Sequence, residues 1–451
     1  MKKRLFDLRK MSCTRLIAGG YALIICIGTL LLMLPASSAD GVGVPALQAF
    51  FTAVSATCVT GLIVADTATA WSVFGQGIIL TLIQIGGLGF MSFFALFTMV
   101  SGKRMSLRAR GLLRDSVNAA KLGGVQKLFR VILLGTLIIE AVGAVLLGFA
   151  FVPQFGAKGI WMAVFHSVSA FCNAGFDLLG ATYGQYASVT GYYNNPLVLL
   201  TLSALILLGG LGFFVWQDIY ENKTNFKRYS LHAKIALTAS AVLVLGGAVL
   251  FLISERNAAF QDMHIGQRLL NALFCSVSPR TAGMNSVDLA KMSPAGILLT
   301  DVLMLIGGNP GSTAGGIKTV TVAVLLISAR ASLTNTGSRN VFGRRLPEDT
   351  VKKALTVVLI YVSILLVSLF ALLCMQPSLS LSDGLFTVIS AIATVGLSTV
   401  TLGEVMLPAS QILVALLMFC GRVGSMSFVL LFTEKKMPSA VVKPEEDVLV
   451  G

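Results

Sequence analysis

The sequence predicts an all-α protein that crosses a membrane several times, from its composition, its long apolar runs and an internal repeat. Of its 451 residues, 55% are apolar and only 12% are charged, whereas soluble proteins carry about 25% charged residues. Such a chain cannot coat a water-facing surface, which excludes a soluble, a disordered or a disulfide-rich secreted protein. The basic N-terminus precedes an apolar run long enough to span, which favours an uncleaved first helix.

Eight apolar stretches reach the roughly 20 residues that a transmembrane helix needs. They are 16–34, 73–100, 131–152, 197–216, 235–254, 296–328, 354–375 and 405–432. The stretch 73–100 is longer than the hydrocarbon core requires, so we expect it to tilt or protrude. Four shorter apolar segments are predicted to be re-entrant or interfacial helices, at 47–59, 160–172, 269–277 and 385–393.

The positive charges orient these spans. If the chain crosses the membrane eight times, 27 of the 34 lysines and arginines fall on one side of the membrane. The positive-inside rule makes that side cytoplasmic, with both termini there and the four short segments on the outer side. The same asymmetry explains the net charge of +14 without nucleic-acid binding. The seven cysteines and three histidines show no metal-ligand or catalytic spacing, which argues against an enzyme.

The short segments reveal a fourfold repeat. Each contains a Phe followed nine or ten residues later by a Gly, in the pairs Phe51 and Gly61, Phe165 and Gly175, Phe274 and Gly283, Phe386 and Gly396. A G-x-x-G motif follows in every unit, at 86–89, 209–212, 308–311 and 421–424. The order span, short helix, span therefore occurs four times, and we predict repeats over 1–118, 119–226, 227–345 and 346–451.

Four glycine-containing loops around one axis would present rings of backbone carbonyls, which can replace the hydration shell of a cation. Glycine permits the unusual backbone angles that such a loop requires. The predicted selectivity-filter residues are Thr57, Cys58, Val59, Thr60 and Gly61; Phe171, Cys172, Asn173, Ala174 and Gly175; Arg280, Thr281, Ala282 and Gly283; and Ala393, Thr394, Val395 and Gly396. Nearby acids either attract cations to the outer mouth or are ordinary solvated loop residues; they are Asp66, Asp177, Asp288, Asp383 and Glu404.

With these motifs the chain resembles the Trk/Ktr/HKT superfamily of potassium transporters over nearly its whole length, and especially the short bacterial Ktr type. The resemblance implies eight transmembrane helices in four M1–pore helix–M2 repeats around a pseudo-fourfold pore. It assigns Gly61, Gly175, Gly283 and Gly396 as the filter glycines, and the segment 394–396 keeps most of the potassium-channel signature. In plant relatives a serine at the first of these positions goes with sodium transport, so Gly61 favours potassium.

The seventh span is broken by a run that cannot continue a stable helix. The run comprises Gly307, Gly308, Asn309, Pro310, Gly311, Ser312, Thr313, Ala314, Gly315 and Gly316. A packing kink is one interpretation, and the resemblance implies the other, an intramembrane gating loop.

Charged residues inside spans usually mark an ion pathway or pair with a partner. Arg422 stands in an otherwise uncharged stretch, and the resemblance makes it a barrier in the pore; snorkelling to the interface is the alternative. Glu140 suits a functional role and a bond between helices equally well. His166, in the second short segment, is interpreted as a packed core residue.

The chain has no P-loop motif, so we expect it not to hydrolyse ATP and to carry no cofactor. The resemblance implies a homodimer in the plasma membrane, surrounded by lipid, with the tail 445–451 at the dimer contact. It also implies a cytosolic ring of RCK subunits whose bound ATP or ADP moves the gate. Coupling to sodium stays open, because no residue indicates it. A secondary transporter of a small solute, built on broken helices, is the alternative function.

Overall fold

The computed structural model describes residues 13–89, 125–223, 225–334 and 339–424. The basic N-terminal residues, most of the predicted cytoplasmic loop before the third span, and the tail 445–451 lie outside the described residues. The same holds for the predicted boundary between the first two repeats.

Helices make up most of the described chain. Its principal helices are α1 (Cys13–Leu32), α2 (Ala46–Cys58), α3 (Val73–Leu88), α4 (Val125–Phe155), α5 (Ala157–Cys172), α6 (Pro196–Gly210), α7 (Phe213–Asn222), α8 (Leu231–Ser254), α9 (Ile265–Val277), α10 (Pro294–Leu305), α11 (Thr319–Leu333), α12 (Glu348–Met375), α13 (Leu381–Ile392) and α14 (Pro408–Val423). Single turns of α-helix occur at Thr67–Ala70, Gly180–Tyr183 and Leu402–Val405, and 3₁₀ turns at Pro35–Ser37, Thr190–Tyr192, Phe226–Arg228 and Leu289–Lys291. The strands β1 (Asn340–Val341) and β2 (Arg344–Arg345) form an antiparallel hairpin.

Among the described residues, four helices are long and apolar enough to cross a membrane, namely α1, α4, α8 and α12. The pair α6 and α7 would add a fifth, but it bends by 95°. The chain is therefore a multi-pass helical membrane protein. The remaining apolar helices, including α3, α10, α11 and α14, have 10–17 residues and are shorter than a full span.

Three expected spans differ from the structure in length or straightness. The stretch 73–100 was predicted as one tilted or protruding helix, but α3 ends at Leu88 and Gly89 has φ +82°. The stretch 197–216 was predicted as one span, but the chain turns between α6 and α7, where Gly212 has φ +92°. Within 405–432, α14 begins only at Pro408 and ends at Val423. In each case a positive φ at glycine interrupts the helix, which an apolar run alone does not reveal.

The four short helices α2, α5, α9 and α13 lie inside the bundle. Each packs against the helix before it and the helix after it: α2 on α1 and α3, α5 on α4 and α6, α9 on α8 and α10, α13 on α12 and α14. Their phenylalanines, Phe51, Phe165, Phe274 and Phe386, are all fully buried.

These groups of helices also contact one another in a cyclic order. Helix α3 packs on α5, α6 on α9, α10 on α13, and α14 on α2, which returns to the start of the chain. The four short helices therefore surround a common centre, and their C-terminal ends bring four distant loops together.

Candidate functional site

The loops that follow the four short helices share one backbone conformation. Two residues before each glycine, a non-glycine residue adopts a left-handed φ; these residues are Val59 (58°), Asn173 (59°), Thr281 (81°) and Thr394 (51°). The glycines also have positive φ, namely Gly61 (88°), Gly175 (74°), Gly283 (75°) and Gly396 (100°). A left-handed conformation is unfavourable for residues that have a Cβ, so the surrounding structure must hold each turn.

The four glycines form a closed ring of backbone contacts. A Cβ added to Gly61 would overlap the carbonyl oxygen of Ala174, and one added to Gly283 would overlap that of Val395. A Cβ on Gly175 would lie 2.9 Å from the Ala282 oxygen, and one on Gly396 would overlap the Thr60 oxygen. Every glycine thus faces the carbonyl before the next loop's glycine. The chain comes close enough to itself that only hydrogen fits at these positions.

A serine in the last turns of each short helix, or directly after the helix, supports the turn, and it was not among the predicted site residues. The serines lie four residues after the buried phenylalanines, so each unit carries F-x-x-x-S; they are Ser55, Ser169, Ser278 and Ser390. This pattern was visible in the sequence and could have identified them. The shorter third loop keeps the Phe-to-Ser spacing and loses its residue between the serine and the glycine.

The serine hydroxyls bond the backbone of the loops in two ways. In the first and fourth loops the hydroxyl accepts from the glycine N–H, from Gly61 at 3.0 Å and from Gly396 at 3.1 Å. In the second and third loops it donates to the carbonyl after the glycine, from Ser169 to Phe176 (2.6 Å) and from Ser278 to Met284. Such bonds satisfy backbone groups that would otherwise be buried without a partner.

At the glycine end, the loops open into a cavity of about 240 Å³. All four glycines line it, together with Asp177 and Asp288. Burial raises the pKa of Asp177 to about 7, and the nearby charge of Asp66 acts in the same direction. Of the five acids predicted near the mouth, these two therefore line the cavity.

The other predicted acids are engaged elsewhere. The carboxylate of Asp66 accepts from the N–H groups of Ala68 and Thr69 and, 120 residues away, from that of Tyr186 at 3.1 Å. Asp383 accepts from the hydroxyls of Ser380 and Thr399. Glu404 is exposed in the Leu402–Val405 turn. Asp66 thus joins the segments that follow the first two loops.

The side chains of Cys172 and Glu140 meet behind the second loop. Glu140 accepts from Gln84 Nε2 at 3.1 Å, and Cys172 Sγ lies 3.9 Å from the same carboxylate. Glu140 thus forms the bond between helices that the sequence left as one of two interpretations. The His166 ring bonds Met162 O through Nδ1 (2.7 Å) and Leu178 N through Nε2 (3.4 Å), as a packed core histidine does.

The G-x-x-G motifs hold the opposite end of the loops. A Cβ on Gly86, Gly209 or Gly421 would overlap the carbonyl oxygen of Thr57, Phe171 or Ile392, the residue four before each loop's glycine. The last glycine of every motif has positive φ: Gly89 (82°), Gly212 (92°), Gly311 (69°) and Gly424 (94°). In these three motifs the first glycine therefore leaves room for the loop that follows the short helix, and in all four the last glycine turns the chain.

The third motif departs from this arrangement, because the chain there forms the 307–316 loop. Its start and end are adjacent, since Ile306 bridges to Ile317 in parallel register. The loop crosses to the end of α6 and the start of α7: Asn309 N donates to Gly210 O (2.9 Å), and Phe213 N donates to Gly311 O (2.8 Å). Thr313 Oγ1 donates to Phe171 O at 3.2 Å. The 307–316 loop therefore lies at the end of the four glycine loops away from the acid-lined cavity.

Two cationic side chains bond the loop directly, and a third bonds the helices beside it. Arg422 donates to Thr313 O (2.5 Å), Gly87 O (3.1 Å) and Gly86 O. Lys318 Nζ donates to Ala314 O at 2.6 Å. Arg280, predicted as a filter residue, directs its guanidinium to the helices beside the loop and not into the ring of glycines. The contacts of Arg422 are inside the protein, which does not fit snorkelling.

Comparisons with known proteins assign the family. The family model described as TrkH, cation transport protein, matches residues 21–443. The chain is 41% identical to the potassium/sodium uptake protein NtpJ of Enterococcus hirae, over 100% of this chain and 99% of that protein. It is 37% identical to the Ktr system potassium uptake protein B of Bacillus subtilis, over 97% and 96%.

A solved structure has the same fold. The potassium transporter TrkH from Vibrio parahaemolyticus superposes with a TM-score of 0.74, covering 96% of this chain and 87% of that one at 18% identity. At this identity the likeness speaks for the fold alone. Together with the family match and the relatives, it shows that this chain belongs to the TrkH family of cation transport proteins, which are ion transporters and not enzymes.

Proposed function

We propose that this chain conducts potassium into the cell as the membrane subunit of a Ktr-type uptake system. Four M1–pore helix–M2 repeats, with the predicted boundaries, surround a pseudo-fourfold pore. The observation that carries the proposal is the closed ring in which each of four glycines faces the carbonyl of the next loop. The relatives named for potassium or potassium/sodium uptake agree with it.

The filter selects by backbone oxygens. A cation loses its water only where oxygens replace it, and rings of carbonyls supply them without a fixed side-chain charge. The left-handed residues before each glycine support one geometry in all four loops, and a serine hydroxyl bonds the loop backbone in each of them. The identity of the ion rests on Gly61 and the relatives, because selectivity depends on carbonyl number and flexibility as well as on size.

The 307–316 loop is the gate, and Arg422 is the barrier beside it. The loop packs under the second and fourth filter segments, where Thr313 bonds Phe171 and Gly315 touches Thr394. Such irregular backbone at membrane depth is tolerated only inside protein or beside an aqueous cavity. Opening requires the loop to move off its bonds to Gly209 and Gly210, since these fix it across the path.

The remaining assignments follow from charge and from the family. The basic residues of the 223–234 and 339–353 segments mark the cytoplasmic face, so both termini are cytoplasmic and the acid-lined cavity faces outward. The protein acts as a homodimer in the lipid of the plasma membrane. A cytosolic RCK ring binds ATP or ADP and moves the gate.

Growth at low potassium tests the function, in a bacterium that lacks its own uptake systems and with an RCK partner co-expressed. The wild type should rescue growth, and Gly61→Ser should admit more sodium, because a Cβ at Gly61 displaces the second loop. Gly77→Ser is the matched control, since nothing lies within 4 Å of a Cβ there. Failure of the wild type to rescue growth or to carry rubidium would favour the solute transporter instead.

A further inference from the structure

Arg280 occupies an unusual place for a charged residue. Its backbone belongs to the third filter loop, three residues before Gly283, and its side chain is 5% exposed. In the described part of the chain no carboxylate pairs with it. A buried guanidinium is costly unless polar groups surround it, so its partners must compensate the charge.

Those partners connect the filter loop to the base of the 307–316 loop. We call residues 305–308 and 317–319, where that loop leaves and rejoins the helices, the loop root. Arg280 Nη2 donates to Thr319 Oγ1 at 3.0 Å, and Thr319 Oγ1 donates to Gly307 O at 2.6 Å. One hydroxyl therefore accepts from the filter loop and donates to the loop root. Thr319 is 1% exposed, so water does not compete for these bonds.

A second route runs through Ser240 on α8. Its hydroxyl accepts from Arg280 Nη2 at 3.3 Å and from Asn309 Nδ2 at 3.0 Å. A hydroxyl oxygen has two acceptor lone pairs, so both bonds form together. Arg280 thus reaches Gly307 through Thr319 and Asn309 through Ser240, two positions at the start of the loop.

The root itself is closed by backbone bonds. Gly307 N donates to Ile317 O (3.0 Å), Ile317 N to Leu305 O (3.1 Å) and Thr319 N to Gly308 O (3.1 Å). These bonds keep the two ends of the loop together, but none of them joins the root to the filter. Arg280 supplies that connection.

We propose that Arg280 is a positioning residue that couples the third filter loop to the 307–316 loop by fastening the loop root through Thr319 and Ser240. The inference rests on the proposed gating function of that loop. It differs from a barrier in the pore, because the guanidinium points away from the ring of glycines. Loosening the root favours the displaced position of the loop without altering the carbonyls that select the ion.

The test uses the purified full-length protein in liposomes, with no regulatory subunit and no nucleotide, and measures rubidium uptake and the rubidium-to-sodium ratio. Thr319→Val removes the connecting hydroxyl and keeps the volume. The control Thr321→Val makes the same chemical change two residues further along α11. A variant that lacks residues 311–316 shows how rubidium uptake changes when the gate itself is lost.

We expect Thr319→Val to raise uptake about tenfold or more and to leave the ion ratio unchanged. It removes two hydrogen bonds, and one of them has a charged donor. Thr321→Val should match the wild type. Arg280→Gln should act in the same direction, and combining it with Thr319→Val should add little, because both break one connection.

Each contrary outcome identifies what fails. If the deletion raises uptake but Thr319→Val does not, the proposed coupling is wrong, while the proposed gating function of the 307–316 loop is supported. If the deletion itself leaves uptake unchanged in a correctly inserted protein, the gating function is wrong. A full additive effect of Arg280→Gln and Thr319→Val, or a changed ion ratio in Thr319→Val, would also overturn the coupling.

Discussion

At the scale of single residues, the proposed filter depends on the space that a Cβ would need. Four glycines face carbonyls that leave no room for a methyl group, and four residues with a Cβ adopt left-handed angles beside them. Both features cost conformational energy, which the serine bonds and the packing of the short helices offset. Residue identity here is therefore set by the close approach of four loops, not by helix propensity.

The acid-lined cavity, on the outer side in the proposed orientation, gives a residue-scale prediction about pH. Burial raises the pKa of Asp177 to about 7, so its carboxylate is ionised above that pH and neutral below it. A negative charge beside the filter glycines attracts cations. Rubidium uptake at subsaturating concentration should therefore fall roughly two- to tenfold as external pH drops from 8 to 6.

Asp177→Asn should give low uptake at both pH values, because its side chain cannot ionise. Glu404→Gln, which removes an exposed acid outside the cavity lining, should keep the wild-type pH profile. A wild-type pH profile in Asp177→Asn would mean that another group titrates.

At the scale of elements, the sequence predicted much of this fold. The apolar stretches anticipated α1, α4, α8 and α12, and the short segments anticipated α2, α5, α9 and α13 within a few residues. The C-terminal ends of α3, α6 and α14 were predicted wrongly, because hydropathy does not show where a glycine turns the chain. The hydropathy of residues 73–100 is the same whether they form one 28-residue helix or a 16-residue helix followed by a glycine turn.

The G-x-x-G motifs marked the repeat in the sequence, and in three of the four motifs the structure places the first glycine against a backbone carbonyl four residues before a loop glycine. Gly86→Ala would push a methyl group into Thr57 O and against Val59. We expect it to lower stability by about 1–3 kcal/mol, the usual cost of overpacking, and to weaken discrimination between potassium and sodium. Thermal unfolding and flux ratios measure the two effects.

Gly77→Ala is the matched control on the same helix, with nothing within 4 Å of the new methyl group. It should be neutral or stabilising, because alanine is the better helix former by about 1 kcal/mol. If Gly86→Ala behaves like Gly77→Ala, the filter loop is not held by this contact.

At the scale of the whole molecule, bonds between distant parts of the chain converge on the 307–316 loop. It reaches α6 through Gly209 and Gly210, α3 and α14 through Arg422, and the third filter loop through Arg280. No sequence pattern could have predicted these contacts, since they join residues from 39 to 335 positions apart. The sequence indicated that Arg422 is functional and that the seventh span is broken. It did not indicate that Arg422 bonds the 307–316 loop.

This arrangement leaves two ways in which Arg422 could restrain ions, and a pair of variants separates them. As a charge, it repels cations below the filter. As a tether, it holds Thr313 O to the carbonyls of Gly86 and Gly87 at the C-terminal end of α3, where a cation is favourable. Lysine keeps the charge but lacks the planar fork that reaches three carbonyls.

We expect Arg422→Lys and Arg422→Gln both to raise rubidium uptake, by about tenfold or more, because charge-assisted hydrogen bonds are the stronger ones. Arg330→Gln, which neutralises an exposed arginine on α11, should leave uptake unchanged. If Arg422→Lys instead retains wild-type uptake while Arg422→Gln leaks, the charge and not the tether closes the pathway. The measurement is uptake into liposomes at fixed membrane potential, so that only the barrier inside the protein differs between variants.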